Sequence, residues 1–246
     1  MQTGTDLQAD LGRLGVRPAD LLMVHASLRA IGPTQGRAAG VVEALDAAVG
    51  PAGTWVMNLG AASDDQPFDH LRTPADPDVG VLAEVLRTTP GTVVSNHPDG
   101  RFGARGPLAQ ELLDDIPWDD YYGPGSSLDR LVGRGGRVLR LGADPDTVTL
   151  IHLAEYLVDL PDKRRVTRRH LLADRLGRPR IALVSCLDDS DGIVERPGED
   201  YFGTILQAYL ALGRASVGPV GVTTAELLDG ADLVRFAVGW MAEHLG

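Results

Sequence analysis

Short apolar runs that alternate with segments of helical periodicity restrict this 246-residue chain to an α/β architecture. The runs are bounded by Gly or Pro, and each is long enough for one buried strand. They cover residues 21–28, 54–60, 92–98, 137–143 and 181–186. Several are apolar at both alternating sets of positions, which is typical of strands covered on both faces.

Between and after these runs, apolar residues recur at intervals of three and four, which predicts helices. The predicted helices cover residues 38–49, 79–88, 107–115, 126–133, 147–159, 200–212 and 223–244. Thr224 is the expected start of the last one. No long linker divides the chain, so residues 1–246 are predicted to form a single domain with a central, mostly parallel sheet flanked by helices.

Composition excludes several classes of protein. The formal net charge of −11 argues against binding to a phosphate backbone and suits a polycationic small molecule. The N-terminus lacks the pattern of a signal peptide, and no segment approaches the roughly 20 apolar residues that span a bilayer. Cys186 is the only cysteine, so an intrachain disulfide is impossible. We therefore expect a cytoplasmic protein with neither a nucleic-acid nor a membrane partner.

Polar residues follow most of the predicted strands. They are His25 and Ser27, Asn58, Ser95 to His97, and Gly142 to Asp144. In open α/β sheets, ligands bind beyond the carboxyl ends of the strands. If the strands are parallel, these residues share one edge of the sheet and indicate a site there.

The segment 142–159 carries the sharpest chemical signal. Thr149, His152 and Glu155 are spaced by three on a predicted helix, so His152 can contact both of the others. An imidazole held by a carboxylate is a general base, but the same pair also occurs on helix surfaces without function. The pair could instead bind a metal together with His97. The sequence contains neither His-x-x-x-His nor a carboxylate cluster around His97, which disfavours the metal site.

The segment from Arg130 to Gly135 fits Arg-x-x-Gly-x-Gly, a pattern that binds CoA pyrophosphate in a widespread acetyltransferase superfamily. That pattern should follow a strand and open a helix. Here a helical segment precedes it and a strand follows, so we interpret it as a turn.

Together, the segments resemble the aminoglycoside 3-N-acetyltransferase family, also called the antibiotic N-acetyltransferase family. The resemblance is in order along nearly the whole chain and is carried by residues 21–32, 50–60, 67–69, 93–106 and 122–155. The last segment is the longest and most specific, since it contains Gly-Gly-x-Val-Leu followed by Thr-x-x-His-x-Ala-Glu. The family fold is an α/β sheet flanked by helices, as the periodicity also predicts.

The resemblance implies acetyl-CoA as the donor, no metal, and the 3-amino group of a 2-deoxystreptamine ring, part of a cationic aminosugar, as the acceptor. It implies direct transfer, with His152 as the base, Glu155 beside it and Thr149 near the thioester. Expected cofactor-binding residues are His25, Ala26, Ser27, Leu28, Arg29, Ser95, Arg101, Phe102, Ser126, Ser127 and Leu128. Expected substrate-binding residues are Asp146, Asp69 and Asn58.

The chain departs from the family pattern at a few places. Arg101 and Ser127 stand where Ser and Pro are usual, and Ala26 stands where Ser is common. An arginine at position 101 could bind a CoA phosphate. The chain is also shorter than many members, between Leu171 and Pro197. Acyl transfer to another amine, a metallohydrolase and a non-catalytic ligand-binding module remain alternatives at this point.

Overall fold

A seven-stranded sheet forms the centre of the protein, which we describe from a computed structural model over residues 1–62, 66–174, 176–188 and 201–246. Its strands are β1 (Leu21–Ala26), β2 (Thr54–Asn58), β3 (Val93–Val94), β4 (Phe102–Arg105), β5 (Arg137–Leu141), β8 (Ser216–Val220) and β9 (Thr223–Asp229). Across these ranges the strand order is β3-β4-β2-β1-β5-β9-β8. The predicted α/β fold, with a central sheet between helices, is confirmed.

Parallel pairing occupies the centre of this sheet. β1 pairs in parallel with β2 on one side and with β5 on the other. β4 and β9 then pair antiparallel with β2 and β5, and β3 and β8 add antiparallel outer strands. Short connections join β3 to β4 and β8 to β9, because antiparallel neighbours need only a tight loop whereas parallel ones need a crossover.

Helices cover both faces of the sheet. They are α1 (Gly4–Leu14), α2 (Leu28–Ile31), α3 (Arg37–Val49), α4 (Val81–Thr88), α5 (Ala109–Leu113), α6 (Ser127–Gly133), α7 (Ile151–Glu155), α8 (Tyr201–Ala211) and α9 (Gly230–His244). One apolar core joins a sheet face to α5 through α9, and a second joins the other face to α1 through α4. Met23 enters the first core while its neighbours Leu22 and Val24 enter the second, as strand geometry requires.

A separate hairpin accounts for one predicted strand. Residues 181–186 lie in β7 (Pro179–Leu187), which pairs antiparallel with β6 (Arg165–Ala173) in a two-stranded sheet. The expectation that this run belongs to the central sheet is therefore wrong. The hairpin also contains the start of the segment where the chain seemed short; residues 189–197 of that segment lie outside the described ranges.

Helix boundaries near the C-terminus need correction as well. Residues 223–229 form β9, so the predicted helix does not start at Thr224. It starts after Asp229, whose side chain accepts from the backbone N–H of Asp232 and caps α9. Pairing with β5 decides the conformation of this segment, and its two threonines favour a strand.

Two further segments are more irregular than predicted. The run at 92–98 contributes only the two residues of β3, and the helix expected over 147–159 is reduced to α7, preceded by a single 3₁₀ turn at Pro145–Thr147. None of the helices within the described ranges combines the length and hydropathy that a bilayer-spanning segment requires.

Candidate active site

A cavity of about 550 Å³ opens beyond the carboxyl ends of the parallel strands β1, β2 and β5. It is lined by Val24, His25, Ala26, Ser27, Leu28, Arg29, Met57, Asn58, Asp78, Val79, Gly80, Val81, Leu82, Ala143, Asp144, Asp146, Thr147, Thr149, His152 and Phe202. Such a cleft is where open α/β sheets bind ligands. The predicted shared edge thus holds for the polar residues that follow these three strands.

His152 and Glu155 form the predicted pair. The Nδ1 atom of His152 lies 2.6 Å from Oε2 of Glu155, one turn along α7. The imidazole stacks on Tyr122, with 4.8 Å between ring centroids, and meets Phe202 edge-on at 4.6 Å. Its side chain keeps 17 % exposure towards the cavity, whereas Glu155 keeps 1 %. With Nδ1 bound to the carboxylate, Nε2 is the ring nitrogen left for a substrate.

Glu155 is held by more than the imidazole. The Nζ atom of Lys163 lies 2.7 Å from the other carboxylate oxygen, Oε1, and the hydroxyl of Tyr201 donates to the same oxygen. Burial acts to raise the pKa of Glu155, but the charges of His152 and Lys163 and their hydrogen bonds outweigh it and hold that pKa below its usual range. The carboxylate is therefore ionised and fixed in place.

The predicted substrate-side residues Asn58 and Asp146 also line the cavity. Asp146 lies exposed in the 3₁₀ turn before α7, and Asp144 lines the cavity beside it. Thr149 is buried at the cavity wall, and its hydroxyl makes only a long contact of 3.4 Å to the carbonyl oxygen of Thr147. These oxygen atoms make one side of the cavity attractive to cations.

The segment from His25 to Arg29 also lines the cavity. The side chain of Ser27 caps α2 by accepting from the N–H of Ala30. Burial, reinforced by the charge of Arg140, lowers the pKa of His25 to about 4, so its imidazole is neutral near pH 7. Among the described residues, the Nε2 atom of His25 has no hydrogen-bond partner.

Arg101 is placed differently from the prediction. Its side chain is fully buried and its guanidinium donates to four backbone carbonyls, those of Gly60, His70, Thr73 and Pro74, at 2.6–3.1 Å. It is absent from the residues that line the cavity. These contacts tie the backbone at residues 60, 70, 73 and 74 to the start of β4, and the guanidinium does not point to a cofactor phosphate.

Other predicted cofactor residues also lie outside the cavity lining. The hydroxyl of Ser95 accepts from the N–H of Phe102 and donates to the carbonyl of Gly100, and both side chains are buried. Ser126 caps α6 by accepting from the N–H of Asp129. These contacts stabilise the chain locally, which explains the polar residues there without a ligand.

The remaining predicted residues follow the same pattern. Leu128 packs in the first apolar core, and Ser127 is buried next to it in the chain; within the described ranges its hydroxyl has no hydrogen-bond partner. Asp69 caps a turn, because its carboxylate accepts from the N–H groups of Leu71 and Arg72. The structure therefore does not bring these three residues to the cavity.

His97 is unavailable as a third metal ligand. Its Nε2 atom lies 2.8 Å from the carbonyl oxygen of Trp118, and Nδ1 accepts from the N–H groups of Asp99 and Gly100. Within the described ranges, no three His, Cys, Asp or Glu side chains cluster closely enough to hold a metal ion.

Sequence reasoning missed several residues that contact the His152–Glu155 pair. Tyr122 and Phe202 enclose the imidazole, and Lys163 and Tyr201 bind the carboxylate. Local spacing gives no sign of the aromatic residues, which come from other parts of the chain. Lys163 carried one usable signal, since it is the only lysine in the sequence.

Comparison with known proteins identifies one family. Residues 23–242 match the family model described as aminoglycoside 3-N-acetyltransferase. The aminoglycoside N(3)-acetyltransferase III of Serratia marcescens is 41 % identical over 271 residues, which cover 100 % of this chain and 99 % of the relative. The type VIII enzyme of Streptomyces fradiae is 39 % identical, over 98 % of this chain and 92 % of the relative.

Solved structures lead to the same family. AAC-IIIb in a binary complex with CoASH superposes with a TM-score of 0.95 at 37 % identity, covering 99 % of this chain and 97 % of the other. AAC-VIa bound to sisomicin gives a TM-score of 0.93 at 34 % identity, covering 99 % and 98 %. The chain therefore belongs to the aminoglycoside 3-N-acetyltransferase family and is an acetyltransferase.

Proposed function

We propose that this chain transfers the acetyl group of acetyl-CoA to the 3-amino group of the 2-deoxystreptamine ring of aminoglycoside antibiotics and thereby confers resistance. The observation that carries the proposal is the His152–Glu155 pair, whose imidazole faces a 550 Å³ cavity with an ionised, buried carboxylate behind it. Relatives named for this activity and a neighbour bound to sisomicin support the choice of acceptor. The reaction belongs in the cytoplasm, where acetyl-CoA is available.

The cavity residues fit both reactants. Acetyl-CoA supplies an activated thioester, and the backbone and side chains of residues 25–29 offer polar groups for its pantetheine and phosphate parts. The orphaned Nε2 atom of His25 supports a ligand at this end. Asp144 and Asp146, which also line the cavity, carry negative charge for the ammonium groups of an aminosugar. The net charge of −11 also attracts a polycation.

His152 performs the proton transfer in this proposal. Its Nε2 atom accepts a proton from the attacking amine as the new C–N bond forms, and Glu155 stabilises the imidazolium. The hydroxyl group of Thr149 donates a hydrogen bond to the developing oxyanion. When the C–S bond breaks, the imidazolium returns the proton to the leaving thiolate. One acetyl group moves from sulfur to nitrogen, and CoA leaves as the thiol.

A panel of aminoglycosides incubated with acetyl-CoA tests the proposal. We expect thiol release only when both reactants are present, a mass increase of one acetyl group, and an NMR shift at the 3-amino nitrogen. His152→Ala should lower kcat by about 10²- to 10⁴-fold. His244→Ala, at an exposed position in α9, is the matched control and should keep full activity.

The outcomes separate the parts of the proposal. Absence of thiol release across the panel would contradict the proposed activity. Acetylation of a different nitrogen or of another amine would keep the chemistry and overturn the acceptor. Near-normal turnover by His152→Ala would overturn the assignment of the base. A raised inhibitory concentration in a sensitive bacterium tests the link to resistance.

A further inference from the structure

The single lysine of the chain occupies an unusual position. The sequence has 23 basic side chains of the Lys and Arg types, and only Lys163 among them is a lysine. Its side chain keeps 2 % exposure, although lysines are rarely buried unless they are paired. It lies in the turn between α7 and β6, eight residues after Glu155. A buried cation at this point requires a partner, and the partner is the carboxylate behind the proposed base.

Lys163, Tyr201 and Glu155 form a closed triangle. The Nζ atom of Lys163 lies 2.7 Å from Oε1 of Glu155 and 2.8 Å from the hydroxyl oxygen of Tyr201. That hydroxyl in turn donates to Oε1. The opposite oxygen, Oε2, binds His152. Each carboxylate oxygen therefore has its own partners, and a continuous line of contacts runs from the buried ammonium to the cavity.

We propose that Lys163 is a positioning residue that sets the pH range in which the His152–Glu155 pair acts as a base, with Tyr201 fixing its geometry. This inference rests on the proposed function. Before catalysis, Lys163 and Glu155 cancel each other's charge, so the neutral imidazole faces a neutral pair. When the imidazole takes the substrate proton, the cluster carries one net positive charge. Lys163 therefore limits how readily the pair binds a proton at acid pH.

The chemistry of lysine suits this place better than that of arginine. An ammonium is a compact point charge whose three hydrogens can point to separate acceptors, whereas a guanidinium is a planar fork. Here the acceptors are one carboxylate oxygen and one phenol oxygen. In a chain that otherwise uses arginine throughout, the geometry thus accounts for the exception.

The other groups around the pair do not replace this charge. Burial and the charge of Glu155 raise the pKa of Tyr201, and burial raises the pKa of Tyr156, so both phenols stay neutral. Tyr122 and Phe202 enclose the imidazole by ring contacts. Helix α9 packs on α7 through apolar side chains. The cavity adds the carboxylates of Asp144 and Asp146, which are of the opposite sign.

The pH dependence of kcat/KM tests the inference. Lys163→Met should move the acid limb of the profile to higher pH by about one unit or more, because the positive charge of the ammonium no longer opposes proton uptake. This direction holds whether the extra proton lies on His152 or on Glu155. Lys163→Arg keeps the charge and should leave the limb near its wild-type position. Tyr201→Phe also keeps the charge of Lys163, so the acid limb should stay near its wild-type position. The kcat should fall about tenfold, because Glu155 loses the hydrogen bond from Tyr201.

A second measurement avoids the loss of stability expected for Lys163→Met, which leaves a buried carboxylate without its cation. Wild-type protein labelled with ¹³C,¹⁵N-lysine gives one lysine side-chain NMR signal, because the chain has one lysine. This signal should shift through the same pH range as the acid limb. In His152→Ala, which removes the imidazole, the shift should disappear.

The inference fails if Lys163→Met keeps the wild-type acid limb, or if the lysine signal does not move across that pH range. Either result would leave His152 as the base and the proposed function intact. If His152→Ala keeps normal turnover, the proposed base is wrong. The lysine signal then still measures the charge coupling, since it needs neither substrate nor turnover.

Discussion

Two buried charged groups of this protein, Arg101 and Glu155, have opposite roles because their surroundings differ. Arg101 donates to four backbone carbonyls of one loop, and all of its contacts lie inside the protein. Glu155 is equally buried, but its line of contacts ends at His152, which is partly exposed to the cavity. Both groups are buried and hydrogen-bonded. Only the contacts of Glu155 lead to a side chain that is exposed to the cavity.

The comparison shows that a buried charge does not by itself indicate a catalytic site. The guanidinium of Arg101 donates to backbone carbonyls that would otherwise be unsatisfied, so it stabilises the fold. Around His152, the Glu155 carboxylate is kept ionised next to an imidazole that faces the cavity. Substitutions at Arg101, His25 and Asp146 test this difference.

Arg101→Met should reduce the free energy of unfolding by about 3 kcal/mol, because four buried carbonyls lose their donor. Urea unfolding followed by fluorescence measures this loss. The kcat and the KM for acetyl-CoA of the remaining folded protein should match those of the wild type. Arg72→Met, whose side chain is 89 % exposed, is the matched control and should change stability little. A raised KM for acetyl-CoA at unchanged stability would instead support the phosphate contact predicted from the sequence.

His25 extends the comparison to a buried group at the cavity. Its pKa is lowered to about 4 in the folded protein, against 6.5 as the ordinary value. The unfolded chain therefore binds more protons between pH 6.5 and pH 4, and stability falls as the pH falls through this window. The slope is at most about 1.4 kcal/mol per pH unit.

Substitution isolates this contribution. His25→Gln should flatten the dependence of the unfolding free energy on pH in that window, measured by urea titration at several pH values. His244→Gln, at an exposed position in the last turn of α9, should leave the slope unchanged. An unchanged slope in His25→Gln would mean that His25 binds its proton over the same pH range in the folded protein as in the unfolded chain.

Asp146→Asn tests the cation-binding side of the cavity and has the smallest expected effect. The KM for an aminoglycoside should rise about fivefold, as is usual for the loss of an exposed ion pair worth about 1 kcal/mol. The KM for acetyl-CoA should stay constant, and added salt should reduce the difference from wild type. Glu43→Gln, which removes an exposed charge from α3, is the control. Equal effects of both substitutions would indicate a general effect of net charge.

Local sequence patterns were sufficient where neighbours in the chain decide the structure. The spacing of His152 and Glu155 is one helical turn, so their contact follows from helix geometry. The polar ends of β1, β2 and β5 meet because these strands are parallel. The pattern Thr3-x-x-Asp6 forms a capping box at α1, a helix that the periodicity argument overlooked.

Patterns failed where distant partners decide. Residues 223–229 have helix-like spacing but form a strand because β5 offers them a ladder of backbone hydrogen bonds. Ser95 matches the family motif and Arg101 departs from it, yet both side chains bind backbone groups of their own chain. A motif gives the residue type at a position, and the side chain's direction depends on what packs around it.

The α/β class, the contact of His152 with Glu155 on one helical turn, and the sheet edge beside the cavity followed from local sequence patterns. Packing between distant segments determines which polar residues line the cavity and which bind backbone groups in the interior. It also joined Lys163 and Tyr201, eight and 46 residues beyond Glu155 in the sequence, to that carboxylate. The physical reason is that burying a charge costs free energy unless the charge is paired and hydrogen-bonded. The packing of the chain decides which residues supply those partners.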